Sequence, residues 1–355
     1  MLKYDMKPVK INGVPVGPGH PPYIIAEIGS NNNGKMALCQ RLIDAAADAG
    51  ADAAKFQSWS ETSLIAEEEY ERNTEYSDKK KHFGSLREMV KAYQFTTQQH
   101  REAHAHCRKR HIAFCSTPFS PEEVDLLETL DVPFFKIASM DIVDLPLLEY
   151  VARKQRPMIV STGMATLAEI DQAVTTIRDA GNDQIILLHC ISIYPPDPKL
   201  INLRNMATLL RAFDVPVGLS DHSLGTAIPM AAIALGASVI EKHFTIDKNM
   251  PGWDHAISAD PPELRAIVEG GRNIFAALGS PVRSVSKAEL EKRRKFRRSI
   301  VTRRPLKKGH TIVEGDLNAK RPGTGISPDE LPYVLGRRLA ADLELDQVIH
   351  WKHLL

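Results

Sequence analysis

Short apolar runs recur along the chain, and each is followed by a polar or ionisable residue. The segments between them have the spacing of amphipathic helices, so the pattern predicts eight parallel strands in a (β/α)8 barrel, also called a TIM barrel. Because the chemistry of such barrels lies at the carboxyl ends of the strands, we expect the polar residues to point into one shared mouth. The apolar runs span 23–26, 51–54, 112–115, 132–135, 158–160, 184–188, 215–219 and 237–240. The residues that follow them are Glu27, Lys55, Ser116, Lys136, Ser161, His189, Ser220 and Glu241.

The pattern of apolar runs and helical segments changes on both sides of the predicted barrel. An Asn-Gly turn near the start predicts a hairpin that caps the barrel floor. Towards the end, Ser299–Thr302 and 311–313 are typical of short strands between glycine-containing turns. A module that small is near the lower limit of independent stability, so we expect it to pack on a barrel, its own or a partner's. The predicted divisions are a hairpin at 1–20, the barrel at 21–280, a linker at 281–298 and a β-rich module at 299–355.

A long polar insertion separates the second apolar run from the next predicted helix. It extends from Glu61 to Tyr93 and is rich in Glu, Lys and Tyr, whereas the helix after it starts near Thr97. Loops of this length in compact domains usually act as lids or binding loops. We therefore expect the insertion to contribute to ligand binding.

The composition is that of a globular protein without strong charge. Of 355 residues, 43% are hydrophobic and 25% are charged, and the formal net charge is +1. This balance gives no general attraction to nucleic acid, and the basic run Lys292–Arg298 is typical of a solvated helix face or a subunit contact. No apolar stretch is long enough to cross a bilayer, and Met1–Pro8 has no signal-peptide core. Four scattered cysteines fit the cytoplasmic location that we expect.

Two histidines follow neighbouring strands and form a candidate metal site. His222 and His243 each come just after a predicted strand, and each has an acidic neighbour, Asp221 and Glu241. Two imidazoles at such positions can share a divalent ion and leave coordination sites open for water and substrate. Either histidine could alternatively serve only as a hydrogen-bonding residue of the rim.

Two lysines with several hydroxyls form a candidate anion site. Their convergence on one barrel mouth suits a phosphate or a carboxylate and implies an anionic substrate. The alternative is that the lysines form solvated ion pairs with Glu27 and nearby aspartates. The candidate residues are Lys55 and Lys136, with Thr117, Ser139, Ser161 and Ser220 at other strand ends.

Glu27 opens a loop of three asparagines and two glycines, from Gly29 to Gly34. Such a loop is lined with hydrogen-bonding groups that suit a polyhydroxylated ligand, although asparagine also serves as a helix N-cap. The segments 189–195 and 251–255 each place an aromatic residue beside polar groups, as carbohydrate sites commonly do, or as simple packing requires.

With these residues identified, the chain resembles the sialic acid synthase family over nearly its whole length. The enzymes of that family condense phosphoenolpyruvate with an amino sugar to make nonulosonic acids. The terminal module resembles the antifreeze-like (SAF, β-clip) domain of the same family, with the segment 320–325 as its signature. The ordered motifs that carry the resemblance are Glu27-Ile28-Gly29, Lys55-Phe56-Gln57, Ser116-Thr117-Pro118-Phe119, Lys136-Ile137-Ala138-Ser139, Ser161-Thr162-Gly163-Met164, His189-Cys190, Tyr194-Pro195, Gly218-Leu219-Ser220-Asp221-His222, Glu241-Lys242-His243-Phe244 and Arg297-Arg298-Ser299.

The resemblance implies a role for each candidate residue. His222 and His243 would hold a divalent ion, Mn2+ or else Mg2+ or Co2+. Phosphoenolpyruvate would be bound by Lys55, Thr117, Lys136, Ser139, Ser161 and Ser220. The sugar would be contacted by Gln57, Asp141, Ser192, Tyr194 and Asp254, and catalytic roles would fall to Glu27, Lys55, Lys136 and Glu241. Family members form domain-swapped homodimers, so Arg321 would reach the sugar site of a partner subunit.

The implied reaction joins the methylene carbon of phosphoenolpyruvate to the aldehyde of an open-chain sugar. Water adds to the carbon that bears phosphate, with help from the metal sphere or from Glu241. Collapse of the adduct gives a 2-keto-3-deoxy sugar acid and phosphate.

The sequence departs from the family pattern on loops that the resemblance places near the sugar. Asn32 stands where a histidine is common, Ser192 where neuraminate-forming members often carry asparagine, and Trp253 where proline is typical. Met140-Asp141 replaces the usual Gly-Glu. The acceptor therefore stays open between N-acetylmannosamine, a diacetamido hexose, and the sugar of a spore-coat polysaccharide pathway.

Two other functions compete with this interpretation. Octulosonate and heptulosonate synthases act on phosphorylated aldoses, but these barrels have no antifreeze-like domain. A non-catalytic sugar-binding barrel would have lost its ligands, whereas this chain keeps both histidines and both lysines.

Overall fold

The computed structural model describes residues 6–75, 77–78, 81–82 and 84–355. The chain divides into two compact units, Met1–Gly279 and Ser280–Leu355. The expectation about a signal peptide falls partly on residues 1–5, which lie outside the described part, as does the start of the predicted hairpin. Among the described helices, none is long and apolar enough to cross a membrane.

The first unit begins with a hairpin and continues as alternating strands and helices. In the hairpin, β1 (Val9–Ile11) pairs with β2 (Val14–Val16) across Asn12 and Gly13, both of which have a positive φ. The following elements are β3 (Tyr23–Glu27), α1 (Met36–Ala49), β4 (Ala53–Ser58), α2 (Glu61–Leu64), α3 (Glu67–Arg72), β5 (Ser77–Asp78), β6 (Lys81–His82), α4 (Leu86–Tyr93), α5 (Thr97–Lys109), β7 (Ala113–Pro118), α6 (Pro121–Thr129) and β8 (Phe135–Ile137). The rest of the unit contains α7 (Leu145–Ala152), β9 (Met158–Ser161), α8 (Leu167–Asp179), β10 (Ile185–Cys190), α9 (Pro198–Ile201), α10 (Asn205–Phe213), β11 (Val217–Asp221), α11 (Ala227–Ala234), β12 (Val239–His243) and α12 (Pro261–Leu278).

Within the described residues, eight parallel strands form one sheet in the order β7-β4-β3-β12-β11-β10-β9-β8. The first and last of these strands along the chain, β3 and β12, are paired, so the sheet curves back on itself. Helices lie between successive strands, and the nearly closed sheet confirms the predicted (β/α)8 barrel. The apolar residues form two layers, one between the sheet and the helices and one inside the barrel. Val9, Ile11 and Val16 of the hairpin belong to the inner layer.

Alternation along the strands decides which polar residues face the interior. On β4, Ala53 belongs to the inner apolar cluster and Ala54 to the outer one, so Lys55 and Gln57 face inward. The same argument places Glu241 and His243 of β12 inside the barrel, since Val239 is in the inner cluster.

Two expectations about the strands are therefore wrong. Lys55, Lys136 and Glu241 lie within their strands and not after them, because the upper layer of the barrel interior is polar and the strands continue through it. The polar residues also do not all point into the mouth. Leu188 is in the inner cluster and Leu187 in the outer one, so His189 faces outward, and its Nε2 lies 2.5 Å from the carbonyl of Ile201.

The predicted insertion, from Glu61 to Tyr93, lies within the described residues except for positions 76, 79, 80 and 83, and its described part contains short helices and two short strands. Ser60 and Ser85 cap α2 and α4 through reciprocal hydrogen bonds with the third residue of each helix. Leu86, Met89, Val90 and Tyr93 recur at helical spacing and are buried. With Trp59 and Tyr70 they form a small apolar cluster, which we call the insertion core. The high overall polarity of the segment concealed these few core positions.

The second unit is built around its own small apolar core. It contains α13 (Lys287–Phe296), β13 (Ser299–Thr302), β14 (Leu317–Lys320) and α14 (Leu331–Val334). Strands β13 and β14 are antiparallel, and Ile300 and Leu317 contribute to the core. The second predicted strand, 311–313, is absent from the described structure; Thr311 makes only an isolated bridge to Arg338.

Candidate active site

The deepest part of the barrel mouth contains two lysines between two glutamates. The Nζ of Lys55 lies 2.7 Å from Oε2 of Glu27 and 3.8 Å from Oε2 of Glu241. The Nζ of Lys136 lies 3.6 Å from Oε1 of the same Glu241. All four side chains are almost completely buried. Strand pairing explains the proximity, because Glu27 and Lys55 are register partners on β3 and β4.

Hydroxyl groups from three other strands complete this cluster. Lys55 donates to Oγ1 of Thr117 at 3.3 Å, and Lys136 donates to Oγ of Ser161 at 2.7 Å. Ser220 donates to Oε1 of Glu241 at 2.9 Å. The structure thus brings together five of the six residues assigned to phosphoenolpyruvate by direct contacts or a shared carboxylate. We call these five residues, Lys55, Thr117, Lys136, Ser161 and Ser220, the anion cluster.

Burial and neighbouring charges shift the pKa values of the two glutamates in opposite directions. Burial is the main cause that raises the pKa of Glu27 to about 7, and Glu241 raises it further, against the opposing effect of Lys55. Burial also acts to raise the pKa of Glu241, but Lys136 and Lys55 outweigh it, and the pKa is lowered. Near neutral pH, Glu241 is therefore the ionised carboxylate, whereas Glu27 can hold or release a proton.

Burial and neighbouring charges shift the pKa values of the two lysines in opposite directions. Burial lowers the pKa of Lys136, although Glu241 opposes this effect. For Lys55 burial also acts to lower the pKa, but Glu241 and Glu27 together raise it to about 12. Lys55 is thus a fixed positive charge. The charged form of Lys136 is the one that an additional anion beside it would stabilise more.

His222 and His243 lie next to each other at the inner face of the mouth. Their ring centroids are 5.3 Å apart, and the ring of Tyr194 lies 4.1 Å from that of His222. The Nδ1 of His222 is 2.9 Å from the carbonyl of Ile191, so Nδ1 carries a proton. Burial acts to lower the pKa of His222, but contact with Cys190 outweighs it and raises the pKa, so Nε2 is a ligand atom when the ring is deprotonated. Burial and the charge of His222 lower the pKa of His243 well below its ordinary value, so this ring is neutral.

These two histidines fit a divalent ion as part of an open coordination sphere. Both rings are buried, one tautomer is fixed, and Nδ1 of His243 makes no hydrogen bond within the described structure. That buried nitrogen is 3.6 Å from Oδ2 of Asp254. The described residues contain no group of three or more His, Cys, Asp or Glu side chains arranged around a metal position. The protein would thus supply two imidazoles, and substrate and water the remaining ligands.

The loop after Glu27 is fixed by its asparagines. Asn31 donates to the carbonyl of Phe244 and to Ser258, both at 2.9 Å, and thereby joins β3 to the loop after β12. Asn32, where the family commonly has histidine, is buried and closes the loop on itself through Gly29 and Gly34. This departure from the pattern therefore acts within the loop.

A second group of residues converges on Gly163, just after β9. The N–H of Gly163 donates to Oγ of Ser139 at 3.0 Å. A Cβ at Gly163 would lie 2.7 Å from that atom and 2.3 Å from Oγ of Ser192. Only glycine leaves room for both serines, so Ser139, assigned to phosphoenolpyruvate, and Ser192, assigned to the sugar, meet at this point.

Gln57 and Asp254, two further sugar candidates, border the same mouth. Gln57 donates to Oε1 of Glu27 at 3.0 Å, and Ser30 donates to Asp254 at 3.4 Å. Burial, and then the charge of Asp144, raise the pKa of Asp141 to about 7, and its Oδ2 accepts no hydrogen bond from the described residues. Arg321 belongs to the second unit, where its guanidinium lies over the ring of Phe296.

Sequence reasoning undervalued two residues near this site. Cys190 was noted as one of four scattered cysteines and in the His189-Cys190 motif, without a role of its own, yet it follows Leu188 by two positions and so faces the barrel interior. Burial acts to raise its pKa, but contact with His222 lowers it. Trp253, noted as a departure from the family and as the aromatic residue of the segment 251–255, packs against the insertion core. Alternation along β10 could have identified the cysteine, whereas no local signal connects Trp253 with the insertion.

Comparison with known proteins gives matches along most of the chain. Residues 42–283 match the NeuB family, and residues 297–355 match the SAF domain. The chain is 39% identical to N,N'-diacetyllegionaminic acid synthase of Legionella pneumophila, over 97% of this chain and 98% of that protein. It is 38% identical to spore coat polysaccharide biosynthesis protein SpsE of Bacillus subtilis, over 96% and 95%. The solved structure of N-acetylneuraminic acid (sialic acid) synthetase from Leptospira borgpetersenii, in complex with citrate, has a TM-score of 0.71 and 34% identity, covering 81% of this chain and 95% of that one.

Proposed function

The chain belongs to the NeuB family, and we propose that it condenses phosphoenolpyruvate with an open-chain N-acylated hexosamine to give a sialic-acid-type sugar acid and phosphate. Relatives and structural neighbours are named as synthases, and the chain is accordingly a transferase of that class. The observation that carries the proposal is the position of the anion cluster directly below two histidines of fixed geometry.

Among the acceptors, we favour a diacetamido hexose over N-acetylmannosamine. The support is the match to the Legionella pneumophila synthase, whose name specifies a diacetyl product, over nearly the whole of both chains. The similar match to the Bacillus subtilis spore-coat protein makes a spore-coat sugar the second candidate.

The residues of the anion cluster would hold the donor by charge and by hydrogen bonds. Lys55 and Lys136 place two ammonium groups within a buried space, where they attract the phosphate and the carboxylate of phosphoenolpyruvate strongly. Thr117, Ser161 and Ser220 add hydroxyl donors once the anion displaces the contacts that they make now.

The two glutamates would then act on the reacting atoms. Positive charge develops on the carbon that bears phosphate, and the ionised carboxylate of Glu241 stabilises it without reorganisation. Glu27, whose pKa of about 7 suits both protonation states, exchanges a proton at the acceptor end.

His222 and His243 would hold Mn2+, with Mg2+ and Co2+ as alternatives. When bound, such an ion supplies Lewis acidity that polarises the aldehyde of the acceptor. On the protein side, Tyr194, Asp254, Gln57, Asp141 and Ser192 would orient the sugar.

Release of phosphate from phosphoenolpyruvate tests the function. The assay uses Mn2+ with N-acetylmannosamine, its 6-phosphate, or diacetamido hexoses, each with and without a chelator. We expect chelator-sensitive release with a diacetamido hexose and loss of release in the His222→Ala variant. Release with the 6-phosphate alone would transfer the proposal to a phosphorylated acceptor, and no release with any sugar in a folded protein would contradict it.

A domain-swapped homodimer in the cytoplasm is part of the same proposal. The resemblance supports the swap, and the four unpaired, buried cysteines are typical of a reducing compartment. Co-expression of Arg321→Ala and His222→Ala chains gives the test, because only a swapped mixed dimer would contain one intact site. Activity well above that of either variant alone is expected, and its absence would contradict the swap.

A further inference from the structure

Directly behind the two histidines, on the outer face of the sheet, lies a buried ion pair that the proposed chemistry does not use. The Nζ of Lys242 is 2.6 Å from Oδ2 of Asp221, and the two residues are 1% and 3% exposed. They are register partners on β12 and β11. Each immediately precedes one of the histidines, so the same alternation that turns His222 and His243 inward turns this pair outward.

The pair closes a short turn around His222. The other carboxylate oxygen of Asp221 accepts a hydrogen bond from the N–H of Ser223 at 3.0 Å. This bond joins the residue before His222 to the residue after it. Lys242 also donates to the carbonyl of Ser223. The residues on both sides of His222 are thus attached to Lys242, through the carboxylate of Asp221 and the carbonyl of Ser223.

We propose that the Lys242–Asp221 ion pair is a positioning device that fixes the distance and orientation between His222 and His243. The carbonyl of Ile191 sets the rotation of the His222 ring, whereas Lys242 holds the turn that carries this ring against β12. The backbone turn that carries His222 therefore cannot shift relative to β12 without breaking one of these buried hydrogen bonds. The role as a metal site rests on the proposed function; the positioning of the two rings does not.

A purely structural role is the alternative, since buried ion pairs often contribute to the fold alone. The two roles differ in a charge-free double variant, Asp221→Asn with Lys242→Met. This variant leaves no unpaired buried charge and so regains stability relative to Lys242→Met. If the pair serves only the fold, histidine geometry and metal affinity recover together with stability. If the pair positions the histidines, stability recovers but histidine geometry and metal affinity do not.

The test measures Mn2+ binding by electron paramagnetic resonance of the free ion, together with urea unfolding of the full chain. We expect Lys242→Met and the double variant to raise the Kd for Mn2+ at least about tenfold, as loss of groups that orient metal ligands commonly does. Lys154→Met is the matched control, because Lys154 forms ion pairs with Asp125 and Glu128 on the outer helices. This control should stay within about twofold of the unmodified protein.

A second readout needs no metal. In protein with 15N-labelled histidine, at a pH where this ring is neutral, the unmodified chain should show His222 as a single Nδ1–H tautomer, identified by its absence in His222→Gln. The double variant should show exchange between tautomers. If it instead keeps the single tautomer and the original Kd, the inference is overturned. If the unmodified chain binds no Mn2+, the proposed metal site fails, and the tautomer alone decides the inference.

Discussion

The carboxylate of Glu27 lies 2.7 Å from the ammonium group of Lys55, yet its pKa is raised to about 7. Burial and the second glutamate, Glu241, outweigh the favourable charge of the lysine. This opposition gives Glu27 a protonation state that changes near neutral pH, beside a lysine that stays charged.

Glu27→Gln tests the role of that proton. We expect kcat to fall by about a hundredfold, as removal of a general acid or base commonly does. The KM for phosphoenolpyruvate should stay constant or decrease, because one negative charge beside the anion cluster has been removed. Steady-state kinetics over a range of phosphoenolpyruvate concentrations measures both. An equal loss through KM alone would assign Glu27 to donor binding.

Ser161→Ala tests the anion cluster. The substitution removes the hydroxyl that contacts Lys136 at 2.7 Å, so we expect the KM for phosphoenolpyruvate to rise about tenfold. Ser192→Ala is the comparison, since Ser192 is assigned to the sugar and should change the KM of the acceptor instead. Identical effects of the two variants on both substrates would contradict the division between donor and acceptor residues.

Gly163→Ala tests the convergence of Ser139 and Ser192. The new Cβ would lie within 2.7 Å of both hydroxyls, so both serines must move, and we expect kcat/KM for each substrate to fall at least about tenfold. Gly315→Ala is the matched control because a Cβ there meets no atom within 4 Å. Unchanged kinetics of Gly163→Ala would show that the serines relax without cost.

Trp253→Ala tests whether the insertion core supports the acceptor loop. Trp253 precedes Asp254 and packs against that core, so its removal should leave the loop less restrained. We expect the KM of the sugar to rise about tenfold, which corresponds to about 1.4 kcal/mol, with the KM for phosphoenolpyruvate within about twofold. Tyr150→Ala, on an outer helix, controls for loss of an aromatic side chain.

Asp316→Asn tests a buried carboxylate of the second unit. Burial acts to raise its pKa, but hydrogen bonds from His310, the N–H of Val313 and Arg304 outweigh this and lower it. A lowered pKa stabilises the folded state above the ordinary value of 3.8, and this contribution is lost as the pH falls through the lower folded value. We expect a loss of about 2 kcal/mol at neutral pH that shrinks below about pH 4.

Urea unfolding of the full chain, monitored by hydrogen exchange of the backbone amides in β13 and β14, measures this effect. Asp346→Asn serves as the control, because the ion pair of Asp346 with Lys320 is exposed, and its unfolding midpoint should not change. A pH-independent difference for Asp316→Asn would contradict the assigned pKa shift.

The sequence predicted the barrel because eight apolar runs at regular spacing are a local signal. It placed the strand ends too early, since a polar inner layer such as Lys55 and Gln57 looks like the start of a loop when only hydrophobicity is considered. The Lys242–Asp221 pair and the packing of Trp253 were not predictable in this way. Each joins residues that are far apart in the chain, and no local pattern specifies such partners.

The residues assigned to the donor lie on strands, whereas most of those assigned to the acceptor lie on loops, and this difference affects how the substrate preference of the enzyme could change. The anion cluster lies on β4, β7, β8, β9 and β11, where every side chain is constrained by its neighbours in the sheet. Asp141, Ser192, Tyr194 and Asp254 lie outside the strands, on segments whose replacement leaves the ladder intact. Exchange of those segments between relatives should therefore alter which sugar is accepted while the donor half of the reaction stays the same, and acceptor preference can diverge without rebuilding the barrel.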